Sequence, residues 1–199
     1  MEQEQQKRAV IVYAEASPNP NSVKFVLNFE LVEEVQVEYS SIAEAGNCPL
    51  AIDLFKEFSF IQNIFISANF ISITKDEATD WYEFNAKIRM FIKKYFDDEK
   101  PLFLEGIVQE VQEVEKQAYE NDSELDAKIK SILNDYVRPA VESDGGAITF
   151  DSFEEGVVKV ILKGSCSGCP SSTMTLKAGI ENLLKRMLPE VEEVVAING

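Results

Sequence analysis

The sequence predicts an α+β protein made of two small αβ domains, residues 7–98 and 124–199, joined by an acidic, partly helical linker over 99–123. Three observations carry this prediction. Both halves alternate short runs of period-two apolar residues with stretches of helical spacing. Turn-forming clusters such as Ser17-Pro18-Asn19-Pro20-Asn21-Ser22 separate the runs. Between the halves, residues 99–123 hold two lysines against seven carboxylates.

In the first half, Ala9–Ala14, Val23–Asn28 and Val35–Tyr39 read as strands. Pro49 suits the first turn of a short helix that places Leu50, Leu54, Phe55 and Phe58 on one side. Two apolar runs, Ile61–Ser67 and Phe70–Lys75, are split only by Ala68-Asn69 and predict a hairpin. A helix over 80–96 closes the domain, with Trp81, Phe84, Ile88, Phe91, Ile92 and Tyr95 as candidate core. In the linker, Leu104, Ile107, Val108, Val111 and Val114 stripe one side of a short helix.

The second half predicts the order α-β-β-(Cys-x-x-Cys loop)-α-β. A helix carrying Leu125, Ile129, Ile132, Leu133, Tyr136 and Val137 ends near Pro139 or shortly beyond it. Asp144-Gly145-Gly146 turns into a strand over 147–150, and Val157–Leu162 returns after Glu154-Glu155-Gly156. A helix bearing Leu176, Ile180, Leu183, Leu184 and Met187 stops at Pro189, and Glu193–Ile197 forms a last strand.

Composition narrows the function classes. A formal net charge of -16 and a pI of about 4.4 argue against nucleic acid and anionic membranes as partners. No apolar run reaches the roughly 18 residues a membrane helix needs. Residues 1–8 lack a signal-peptide apolar segment and are too acidic for a typical transit peptide, so a cytoplasmic location is expected. Three cysteines in 199 residues suit a reducing compartment. The carboxylates of the first half are dispersed, and no catalytic constellation is expected.

The chemistry concentrates at Gly164-Ser165-Cys166-Ser167-Gly168-Cys169-Pro170. Small residues between the thiols let the loop curl, and a helix starting near Pro170 directs N–H groups and its positive dipole end at both sulfurs, favouring thiolate. Such a pair binds a soft metal, cycles as a redox dithiol or closes a disulfide. With no histidine in the chain, a Cys2His2 zinc site and a Cys-His catalytic pair are excluded. An iron-sulfur cluster or a thiolate-only zinc site usually takes four cysteines, so one adjacent pair per chain implies a site shared by two subunits. A thioredoxin-like dithiol oxidoreductase remains open, although only about 30 residues follow Cys169. A structural zinc shared across a dimer also remains open. Cys48, beside Pro49, reads as a buried cysteine rather than a ligand. Lys163 and Lys177 are candidates to stabilise thiolate, and Ser165, Ser167, Ser171 and Thr173 to donate hydrogen bonds to cluster sulfurs, with capping the plain role of Ser171.

Longer stretches resemble a known family. Pro18–Phe25, Cys48-Pro49-Leu50-Ala51 with Leu54-Phe55, Phe70–Lys75 and Asp80-Trp81 resemble the N-terminal domain of Nfu-type iron-sulfur scaffold proteins. Arg138-Pro139, Asp144-Gly145-Gly146, Val158-Lys159-Val160, the whole run Leu162–Glu181 and Pro189-Glu190-Val191 resemble the NifU C-terminal domain. The resemblance implies a non-enzymatic scaffold that accepts an iron-sulfur cluster, commonly [4Fe-4S] with [2Fe-2S] possible, between two subunits. It implies upstream assembly proteins as donors and apo-proteins as recipients. Cys166 and Cys169 carry over as ligands of the cluster iron. The family often has Ser at the place of Cys48, and commonly an acidic residue where this chain has Ala147; Asp144 reads as a turn residue.

Overall fold

The computed structural model describes residues 9–33, 35–104, 123–167 and 170–198. The expected linker helix therefore falls, over 105–122, outside the described residues.

The first half folds into a five-stranded antiparallel sheet. Its strands are β1 (Val12–Ala16), β2 (Ser22–Leu27), β3 (Gln36–Tyr39), β4 (Ile61–Ser67) and β5 (Phe70–Lys75), in the order β1-β2-β5-β4-β3. Helices α1 (Pro49–Glu57) and α2 (Trp81–Asp97) belong to the core on its inner face, where Phe25, Leu54, Ile64, Ile66, Ile71, Ile73, Ile88 and Ile92 are fully buried. Asp80 fixes the start of α2 by accepting a hydrogen bond from the Tyr82 N–H at 2.9 Å. Of the six expected α2 core residues, Ile88, Ile92 and Tyr95 are buried, while Trp81, Phe84 and Phe91 pack at its margin.

The second half runs α3 (Glu124–Ile132), a π turn (Leu133–Val137), α4 (Arg138–Ser143), β6 (Gly146–Glu154), β7 (Val157–Gly164), α5 (Pro170–Met187) and β8 (Glu193–Asn198). This is the expected order. Ser123 and Asp126 form a reciprocal capping box at α3. The chain stays helical past Pro139 because the π turn precedes it and Pro139 stands in the first turn of α4, where its missing N–H costs little. The sheet order is β6-β7-β8, antiparallel for β6-β7 and parallel for β7-β8. Strand β6 outruns its apolar expectation, continuing through a bulge between Phe150 and Ser152 to Glu154.

The first sheet is covered on both faces. Strand register puts Lys24, Val26, Glu38, Phe65, Ser67, Phe70 and Ser72 on the face opposite the helices, with Phe65 across from Glu38 and Ser72, and Phe70 across from Val26 and Ser67. There Phe65, Phe70 and Ala147 of β6 form a buried cluster, with the two rings 6.0 Å apart. Full burial of a phenylalanine stabilises by about 1.5–3 kcal/mol, against roughly 1 kcal/mol net for a hydrogen bond. The aromatic pair and the hydrogen bonds around it thus contribute adhesion of similar size between the two sheets, and the polar groups also set the alignment.

Candidate functional site

Strand β7 ends at Gly164, whose φ of +65° turns the chain into Ser165-Cys166-Ser167. A β-carbon at Gly164 would lie 2.8 Å from both the Gly145 carbonyl oxygen and Phe65 Cδ1, so only glycine fits. The Ser167 N–H donates to the Gly164 carbonyl at 3.0 Å, and the Ser165 N–H to that of Gly145 at 3.2 Å. Ser165 Oγ donates to the Asp144 carbonyl at 2.6 Å, which engages Ser165 with backbone rather than with a ligand. Asp144 caps the end of α4, as its reading as a turn residue expects.

Cys166 lies against Gly146, where a β-carbon would stand 2.6 Å from its sulfur, and it joins the core formed by Ile148, Val160, Leu162 and Leu184. It is 5% exposed. Helix α5 begins at Pro170, the earlier of the two starts open to the sequence, the other being a later one capped by Ser171. Cys169 falls outside the described residues, as do the side chains of Ser171 and Thr173. Lys177 pairs with Glu193 of β8 at 3.4 Å, and Lys163 acts electrostatically on Glu38. Among the described residues no group of three or more His, Cys, Asp or Glu side chains is placed to hold a metal ion.

Cys48 is fully buried in the other core, with Leu50, Leu54, Ile64 and Tyr95. Burial pushes its thiol up to about 11, against a smaller pull from the Ala51 and Leu50 N–H groups at the start of α1. It is a neutral thiol at pH 7 and is walled off from Cys166. Cys48→Ser is expected to leave iron binding intact and to move the midpoint of urea unfolding by no more than about 1 kcal/mol, because a serine at a helix cap recovers by hydrogen bonding what it loses in burial. Loss of iron binding in this variant counts against the assignment.

Three residues that sequence reasoning did not single out bear on the cysteine turn. Glu38 Oε1 accepts the Gly164 N–H at 2.9 Å, Asn19 Nδ2 donates to the Ser165 carbonyl at 3.1 Å, and Ser72 Oγ donates to the Gly145 carbonyl. The strand alternation around Glu38 and Ser72 and the turn around Asn19 were readable, but nothing local to Glu38 or Asn19 marked a partner more than a hundred residues away. Desolvation raises the Glu38 carboxyl above its usual range, outweighing the Gly164 N–H, the Asn63 amide and Lys163. The folded state therefore favours the protonated form, and this contribution to stability is complete below the ordinary carboxylate value and lost as pH rises through the elevated one. Glu38→Gln keeps the acceptor and removes the buried charge, so thermal unfolding is expected at a higher temperature than wild type at pH 7. The gap should close as the pH falls below the ordinary value of 4.5.

Comparison with known proteins adds independent findings. A NifU-like domain model matches residues 129–195, and the model described as scaffold protein Nfu/NifU N terminal matches residues 12–99. The human protein named NFU1 iron-sulfur cluster scaffold homolog, mitochondrial, is 36% identical over 188 residues, covering 94% of this chain and 72% of that protein. The Drosophila willistoni protein of the same name is 35% identical over 189 residues, covering 94% and 64%. NifU-like protein 4, mitochondrial, of Arabidopsis thaliana is 33% identical over 191 residues, covering 95% and 66%. The chain thus spans about two thirds of the length of these relatives.

The expectation of a cytoplasmic protein is overturned by these names, which point to mitochondria. The expectation rests on the acidic character of residues 1–8, supported by a low cysteine count that suits any reducing compartment and does not separate one from another. No described helix is long and apolar enough to cross a membrane. With its first half matching the Nfu N-terminal model, its second the NifU-like model, and a human relative aligned over nearly its full length, the chain belongs to the Nfu-type, NifU-like family of iron-sulfur cluster scaffold proteins.

Proposed function

We propose that this chain is a non-catalytic iron-sulfur cluster scaffold and carrier. Cys166 and Cys169 of each of two subunits supply four thiolates to one labile cluster, [4Fe-4S] in preference to [2Fe-2S]. The division of labour follows residues 7–98, 99–123 and 124–199, with the last holding the cluster. Upstream assembly proteins load it and apo-proteins receive it.

The observation that carries this reading is the separation of the chain's thiols: Cys48 is sealed in one core while Cys166 lies on a strand-to-helix turn of the other. With no histidine and no third thiol within reach, a four-thiolate site requires a second chain. Two ligands per chain also suit release. An incoming client thiolate bonds to an iron as a Cys166 or Cys169 thiolate leaves it, so ligand count and charge are conserved at each exchange.

The test is anaerobic reconstitution with ferrous iron and sulfide, read by absorbance and Mössbauer spectra, gel filtration and transfer to an apo-enzyme. About four irons per dimer, with dimerisation on loading and activation of the apo-enzyme, is the expected result. A monomer that holds a full cluster without added thiol, or a protein that takes up no iron and turns over disulfides, refutes it.

A further inference from the structure

We propose that the first sheet is a cis-acting cap on the cysteine turn: its outer face grips the backbone that carries Cys166, and building a cluster between two chains requires the two halves of each chain to part. The capping role rests on the two-chain cluster reading above. The grip itself rests on contacts within one chain.

Among the described residues, four side-chain hydrogen bonds across this seam end on backbone of two short segments that flank the site. Lys24 Nζ donates to the Ser143 carbonyl at 3.3 Å, and Ser72 Oγ to that of Gly145. Glu38 takes the Gly164 N–H, and Asn19 donates to the Ser165 carbonyl. A surface whose hydrogen bonds go to main-chain groups recognises the conformation of the turn, and so favours the arrangement of residues 143–145 and 164–165 that exists without cluster. Four strands and the loop before β2 contribute to this face, which makes it a shaped receptor rather than a chance touch.

The fit is close. A β-carbon at Gly145, whose φ is +83°, would stand 2.5 Å from Ser72 Oγ and 3.2 Å from Lys24 Cβ, and one at Gly164 would strike Phe65. Ala147 points away from the core that holds Cys166 and is fully buried against Phe65 and Phe70. Asn19 and Ser165 are 5% and 2% exposed, so the residue next to Cys166 is closed to any outside molecule while the halves stay together. A second subunit has to bring its own cysteine loop to this same turn. The cap holds, from the face of the second sheet opposite Cys166, the backbone that the partner's loop has to approach.

Ala147→Asp tests the proposal in the full-length protein, because it forces a larger, charged side chain into the fully buried contact with Phe65 and Phe70 and touches neither the cysteines nor the core beneath them. The pair Asn19→Ala and Glu38→Ala, which deletes two seam hydrogen bonds and no apolar core side chain, repeats the test should the aspartate variant misfold. In metal-free protein the Gly164 amide should exchange with solvent at least about tenfold faster in either variant than in wild type. Val160, inside the second sheet, should be unchanged, and Glu38→Gln should keep Gly164 protected. The initial rate of cluster assembly from ferrous iron and sulfide should rise several-fold in both variants.

Equal Gly164 exchange in wild type and variants overturns the grip. Faster exchange with an unchanged assembly rate overturns the capping role. If exchange responds as expected while neither wild type nor any variant takes up iron, the grip stands and the cluster reading fails, taking the capping role with it.

Discussion

Replacing Cys166 with alanine is expected to reduce iron retained after anaerobic reconstitution by tenfold or more. In the proposed site, shared by two identical chains, the substitution is carried twice and removes two of four thiolates, more than the loss of an outer-shell partner that typically costs about 10–100-fold in metal affinity. Cys169→Ala should do the same. Folding is not the cause of the loss, because removing one small buried side chain next to Gly146 costs on the order of 1 kcal/mol. Iron content per chain and the urea midpoint, measured on one preparation, separate the two effects. Wild-type iron content in either variant excludes the assignment.

Gly146→Val is the second large effect, and it leaves both thiols in place. Even a β-carbon here would stand 2.6 Å from Cys166 Sγ and 2.8 Å from the Lys163 carbonyl oxygen. Real structures do not hold such contacts, so the cysteine turn has to move, at a cost of about 1–3 kcal/mol. Iron retention should fall several-fold, although titration of the unfolded protein still finds three thiols. Gly179→Ala is the contrasting control. That position has open space around it in α5, and the change should stabilise the protein by roughly 0.5–1 kcal/mol without altering iron binding. Full iron retention in Gly146→Val would show that the close packing of Cys166 does not position it for ligation.

Where the pattern was local, the fold was legible. The two-residue connection at Ala68-Asn69 joins β4 and β5 as the hairpin reading expects, Pro49 opens α1, Asp80 caps α2, and Pro170 opens α5. Such features depend on residues a few positions apart, and turn and cap chemistry acts at that range. The contact between the two halves was not read, although its trace was present. Ile64-Phe65-Ile66 interrupts alternation with a continuous apolar run, the mark of a strand covered on both faces. Glu38 and Asn19 carried no such trace, since a carboxylate on an alternating strand and an amide in a turn look the same whether they face water or a distant backbone. Ala147 stood out as a departure from the family, and the structure buries it fully against Phe65 and Phe70, where a larger side chain has no room without moving the two rings. The motif made Cys166 conspicuous, whereas the glycine that receives its sulfur lies across the sheet and was seen only as part of a turn.

The parallel pairing of β8 with β7 bears on how the protein reaches this state. Val157 through Leu162 meet Glu193 through Asn198 only after the chain has crossed α5, while β6 and β7 close through a tight hairpin. Distant pairings form late because a large loop must first be ordered. In a newly made molecule the segments of β6 and β7 exist before those of α5 and β8, whose Ile180, Leu184 and Val194 complete the shelter around Cys166. In that interval the thiol meets oxidants as an unfolded chain would, and its survival depends on the reductants of its surroundings rather than on anything the finished fold provides.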